Sequence, residues 1–297
     1  MNPIQKSAPL LLRSVGAAAA FACLATVPLT RAQDEGEEKK VPEKSAEIPS
    51  YLIEDEHVRE EFGINFATTP NIKKLFDEIA GLGKLDYEKL RRLEDAPKPP
   101  RERAAAALAM GALIADGFLV VQAERVEDIE PVGRGLLSHA KVLGTGTRVT
   151  RHAKSLLEHS ALEEWDTLKD ELGKTQNDVE AEMILLRDTD VVQLIGLGGW
   201  VRGFQIAAHT AADRYSEEKA AKLKRLDIAE YYLSILGDME PRMRDKTLAA
   251  NLRAGLSEIR LIIDLPEGKS PSEADAAKLA KASDTLMGHV DKAAGGK

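Results

Sequence analysis

AAAALAMGALIADGFLVVQA, residues Ala104 to Ala123, and VVQLIGLGGWVRGFQIAAHTAA, residues Val191 to Ala212, are the two stretches that decide the fold. Each is apolar almost all round, is free of proline and is about as long as a membrane span. Such a helix is either the centre of a bundle or a span. Each carries a charge near its middle, Asp116 in the first and Arg202 in the second. A charge at a bilayer centre costs about 2.5–3.5 kcal/mol. The reading is therefore that both are central bundle helices, 101–125 and 191–212, with 162–187 as a third, although Gly199-x-x-x-Gly203 also matches a membrane packing motif.

Outward from these, apolar residues recur at steps of three and four, the helical period. Ile72, Leu75, Phe76 and Ile79 lie on one face behind Thr69-Pro70, with Thr69 as cap and Pro70 at the first position. A short helix is expected over Val58 to Gly63, a turn from Asp86 through Leu93, and a break at Ala96 to Pro100. Helices are expected over 127–144, 148–159 and 162–187. The last has a seam of Trp165, Leu168, Leu172, Thr175, Val179, Met183 and Leu186. Asp227 to Met239, capped by Asp227, and Ala249 to Leu265 follow, then a final helix with Ser270 as cap, Pro271 at the first position and Glu273 at the third. No segment alternates as a strand would. The fold class is all-α, an irregular multi-helix bundle of about eight to ten helices. An α-helical hairpin repeat array is the alternative. Arg148 to Met183 resembles a tetratricopeptide helix pair in length, and Trp165-Asp166-Thr167-Leu168 resembles its opening. The Leu-Gly and Tyr positions of that repeat are absent, and no second copy is in register.

The domain reading has four parts. Residues 1–32 resemble a secretory signal, with basic Lys6 and Arg13, an apolar run from Val15 to Leu29, and Thr30-Arg31-Ala32 before a cut after Ala32. The alternatives are an uncleaved anchor, or lipidation at Cys23. Residues 33–50, charged and nearly without apolar residues, are expected to be a disordered acidic tether. Residues 51–265 form the helical domain. Residues 266–297 form a linker, with prolines at 266 and 271, and a peripheral C-terminal helix.

Cleavage would leave an exported chain, periplasmic or extracellular. It removes three basic residues and no acids, taking the formal charge from −8 to −11. It also removes Cys23, the single cysteine, and with it thiol, disulfide and Cys-ligated metal chemistry. The acidic surplus argues against nucleic acid, whose binding rests on Lys and Arg neutralising phosphates. No cofactor and no metal is expected. His152 and His159 lie seven apart on one helix, about 10 Å, too far for one ion. The histidines, these two included, are expected to be solvated or capping.

One polar constellation remains. In 191–212 a second stripe runs through Gly198, Arg202, Gln205, His209 and Asp213. In 101–125 Asp116 shares a stripe with Ala105, Ala109, Ala112 and Ala123, small enough for another helix to come close. The expectation is that Asp116 and Arg202 meet between the two helices, with Gln205 and His209 in the same seam. Two functions follow from this. The first is an exported helical binding or interaction module with a protein or small-molecule partner and no transmembrane segment in the mature chain. The alternative is a ligand-, metal- or proton-handling bundle, an enzyme included, that uses Asp116, Arg202, Gln205 and His209.

Overall fold

The computed structural model describes residues 71–239 and 246–295. The expected signal, tether and first short helix lie outside them, as do Thr69 and Pro70; the helix those two were expected to open instead begins at Ile72 with Asn71 as cap, its Oδ1 accepting from Lys73 N–H at 2.8 Å. Among the described residues there is no strand. Ten α-helices longer than one turn, a single-turn helix and one 3-10 turn form a multi-helix bundle.

At the centre are α3 (Arg103–Gln122) and α7 (Thr189–Asp213), with 17 consecutive buried residues from Ala105 to Val121 in α3. They run parallel, with Leu108 beside Gly198, Asp116 beside Arg202, and Arg103 paired to Asp188 at their starts. Backbone meets backbone at the crossing. A Cβ on Gly111 would lie 1.9 Å from the carbonyl oxygen of Ile195, and one on Gly198 would lie 2.0 Å from that of Leu108. The glycines, rather than the alanine stripe beside Asp116, make this approach. Both helices are long and apolar enough to cross a membrane, and both have 94% of that window buried within the fold.

The other helices wrap this pair. α1 (Ile72–Ala80) lays Ile72 over Gly199 and Leu75 over Gly203, so both ends of the Gly-x-x-x-Gly step are occupied by α1 side chains. Phe76 of α1 stacks on Phe118 of α3, ring centroids 5.4 Å apart. The single-turn α2 (Tyr87–Leu90) precedes α3. The 3-10 turn Val126–Asp128 leads into α4 (Ile129–Leu143), which returns along α3 and ends at Gly144 with φ 91°, a left-handed conformation that glycine adopts without cost. α5 (Gly146–Ser160) and α6 (Trp165–Leu185) form a hairpin beside it. Within the expected α6 seam, Leu168, Leu172, Thr175, Val179 and Met183 are buried, whereas Leu186, just past the helix, is 57% exposed. After α7 come α8 (Glu217–Ala221), α9 (Leu226–Asp238), α10 (Lys246–Ile263) and α11 (Glu273–Ala293).

Three expectations are corrected. α9 starts at Leu226 with Asp227 inside its first turn, not as cap; the Asp227 carboxylate is taken up by Arg225 at 3.1 Å. α11 starts two residues later than expected. Ser272 is the cap, and its hydroxyl and the Asp275 carboxylate exchange bonds with each other's backbone N–H, a complete capping box that Ser270 lacks. α11 is also integrated rather than peripheral. It runs antiparallel to α7, burying Leu279, Ala282, Leu286, Met287 and Val290, because the Leu265-to-Ser272 connection folds the chain back onto α7.

Candidate functional site

Asp116 and Arg202 meet between α3 and α7. Arg202 Nε donates to Asp116 Oδ1 at 2.7 Å, and the two side chains are 4% and 2% exposed. The other oxygen, Oδ2, accepts from Arg92, Nε at 2.9 Å and Nη2 at 2.7 Å. Arg92 also pairs through Nη1 with Asp291 of α11. Burial opposes the charge on Asp116, but the two guanidiniums more than offset it and hold the carboxyl below its ordinary pKa. Burial likewise opposes the charge on Arg92, and Asp116 and Asp291 override it, raising its pKa.

Each of the other Arg202 nitrogens also has an acceptor. Nη1 donates to Gln205 Oε1 at 2.7 Å, and Nη2 donates to the Leu90 carbonyl at 2.5 Å. Gln205 Nε2 passes the chain of bonds to Asp284 Oδ1 of α11 at 2.7 Å, and His209 Nε2 reaches the same oxygen at 2.7 Å. The four residues of the expected seam therefore lie in one connected network. It is graded: Asp116 and Arg202 are buried, Gln205 and His209 half-buried; Asp213, the last residue of the expected stripe, is exposed and pairs with Lys89 instead.

The sequence does not single out Arg92, Asp284 or Asp291. Arg92 sits in an irregular stretch with no period to betray it. Asp284 and Asp291 do carry a signal, since their seven-residue spacing puts both on one face of α11, the face turned to α7.

The network holds the segment 86–92 against the bundle. Besides the Leu90 carbonyl and the Arg92 guanidinium, Lys89 Nζ pairs with Asp213 at the end of α7. Tyr87 Oη donates to Asp128 Oδ2 at 2.5 Å, with the Arg125 guanidinium 5.3 Å above its ring. Burial, then the Asp128 carboxylate, push the Tyr87 phenol well above its ordinary pKa, so it stays a donor. Asp86 caps α2 by accepting from Lys89 N–H at 3.4 Å.

Beyond the exposed end of the network, this segment and α7 enclose a cleft of about 320 Å³. Lys84, Asp86, Lys89 and Leu90 form one wall, and Thr210, Asp213 and Arg214 the other. That volume is at the lower end of small-molecule sites, about 300–1,000 Å³.

Histidine is less solvated than expected. His139 is buried, its Nδ1 donates to the Gly135 carbonyl 2.8 Å away, and burial pushes its pKa below the ordinary histidine value. His152 is buried where α5 meets α6, with Nδ1 3.0 Å from Glu171 and Nε2 2.9 Å from Asp178. Among the described residues, no cluster of three His, Cys, Asp or Glu side chains has the geometry to hold a metal ion.

No protein-family model, curated protein or solved structure matches the chain.

Proposed function

We propose that the chain is an exported binding module rather than an enzyme, and that its ligand or partner meets it around the C-terminal end of α7. The carrying observation is the closure of the polar centre. Both oxygens of Asp116 and all three guanidinium nitrogens of Arg202 are hydrogen-bonded internally, with the pair almost wholly buried. A reactive carboxylate needs a vacant lone pair near substrate. These groups instead brace the segment that forms one wall of an open cleft.

The proton-handling alternative rests on the unbroken chain of bonds from Asp116 to His209. It requires a substrate to reach Asp116, which is 3% exposed. Export rests on the signal-like residues 1–32, and the burial of α3 and α7 against each other supports a mature chain outside the bilayer.

Native purification from the periplasm or medium, with mass spectrometry of everything bound, tests the reading. A stoichiometric ligand or protein partner supports it. An N-terminus at Gln33 supports export, and an intact Met1 on the purified chain refutes cleavage. A chain that carries nothing but turns over a substrate in an Asp116-dependent way overturns the binding-module reading.

A further inference from the structure

The cleft at the end of α7 has an unbalanced set of charges. Three cations line it, Lys84, Lys89 and Arg214, against two carboxylates, Asp86 and Asp213. Lys89 and Asp213 satisfy each other, and Asp86 accepts from the backbone of its own turn. Lys84 and Arg214 have no ion-pair partner among the described residues. This surplus of positive charge stands on a chain whose formal charge is −8.

The walls also limit what could bind. The Thr210 hydroxyl gives its proton to the Ile206 carbonyl at 2.7 Å, so toward the cleft it can only accept. Lys89 keeps two ammonium protons beyond the one directed at Asp213. Arg214 brings a planar fork that suits two oxygens of one anionic group. Donors for an anion and acceptors for a hydroxyl or ammonium thus share one small space.

Resting on the binding-module reading, we propose that this cleft is a binding site for a small anion. The ligand carries one phosphoryl or carboxylate group, held by Lys84, Lys89 and Arg214, on a polar body whose donors face Asp86 and Thr210. The buried Asp116–Arg202 network is then the frame of the site. It fixes Leu90 and Arg92, and through them the position of Lys89.

A competing explanation is that the cations only offset the negative end of the α7 dipole, an effect of about 0.3–1 kcal/mol. Calorimetric titration of the full chain with inorganic phosphate and, separately, with malonate distinguishes the two. The expected result is saturable binding at one site per chain, in the range of about 1 mM or tighter. Phosphate alone binding assigns a phosphoryl ligand, and malonate alone a carboxylate. The double variant Lys84→Ala/Arg214→Ala should weaken binding at least tenfold. Lys98→Ala/Arg101→Ala, which removes the same charge beside the start of α3 at the other end of the bundle, should leave it unchanged. Both variants are at exposed positions, and circular dichroism checks that each is folded.

Binding to neither probe, or equal weakening by the two variants, overturns the assignment. If neither probe binds while native purification returns a stoichiometric partner, the cleft assignment falls and the binding-module reading stands. If the chain instead carries nothing and turns over a substrate in an Asp116-dependent way, both fall.

Discussion

Arg202 and Asp116 are joined 2.7 Å apart across the line where the two most apolar helices of the chain touch, with 2% and 4% of their side chains exposed. A buried ion pair is weak evidence for stability in itself, because desolvation offsets much of the attraction. Its effect here is positional. Arg202 uses its remaining nitrogens on Gln205 and on the Leu90 carbonyl, and Asp116 uses its second oxygen on Arg92. Two turns of central helix thereby hold the 86–92 segment, whose own apolar anchors in the core are Tyr87 and Leu90.

Removing one member strands the others. Asp116→Asn keeps the shape and deletes the charge, leaving the buried Arg202 unneutralised. The expected loss is about 3–5 kcal/mol in urea unfolding. A loss below about 1 kcal/mol, the range of exposed pairs, would show that water reaches the guanidinium.

The glycines of the central crossing should divide sharply from a glycine with room. Gly111→Ala puts a methyl 1.9 Å from the Ile195 oxygen, and that contact is backbone, so α3 and α7 must separate. Overpacking costs about 1–3 kcal/mol where side chains can yield, and more is expected here. Gly288→Ala in α11 meets nothing within 4 Å. It should stabilise by about 0.5–1 kcal/mol, the helix preference of Ala over Gly. Thermal melts of the two variants give the comparison, and equal effects would refute the close crossing.

Acid should unfold the protein through two carboxylates. Burial opposes ionisation of Glu171, but hydrogen bonds from His152 and Lys174 more than offset it, bringing its pKa down from 4.5 to about 2. Asp116 is also held below its ordinary 3.8. Both pKa values are depressed in the folded state, so their contributions are complete above the unfolded values and disappear as pH falls through the folded ones. Unfolding free energy measured by urea should therefore decline from about pH 4.5 down to about pH 2. Glu171→Gln should flatten part of that slope, and an unchanged slope would remove Glu171 from the account.

Among the described residues, the fully buried Tyr232 hydroxyl has no hydrogen-bond partner, and its ring lies 5.9 Å from that of Trp200. Tyr232→Phe should be neutral or stabilising, since an unsatisfied buried polar group costs about 1–3 kcal/mol. The Trp200 emission maximum should stay in place. A destabilisation above about 1 kcal/mol would mean that the hydroxyl is bonded.

The sequence by itself determined the all-α class, the central position of the helices around Asp116 and Arg202, and the stripe on which Gln205 and His209 lie. The reason is that each of these is a local or periodic property. Apolar residues that surround a helix require burial on every side, and a step of three or four residues puts side chains on one face wherever the helix goes. The tertiary structure alone decided the partners. Arg92, Asp284 and Asp291 join the network because the chain returns from distant positions to the same seam, and no spacing within one helix encodes that return. The cap at Ser272, two residues beyond the one read from Ser270, was decided by whether both halves of a reciprocal bond could close. The cleft, too, exists only where the end of α7 meets a segment more than a hundred residues earlier. A sequence can mark a charge as out of place in an apolar helix, but only the packing of other elements shows whether that charge faces a ligand or braces the wall beside one.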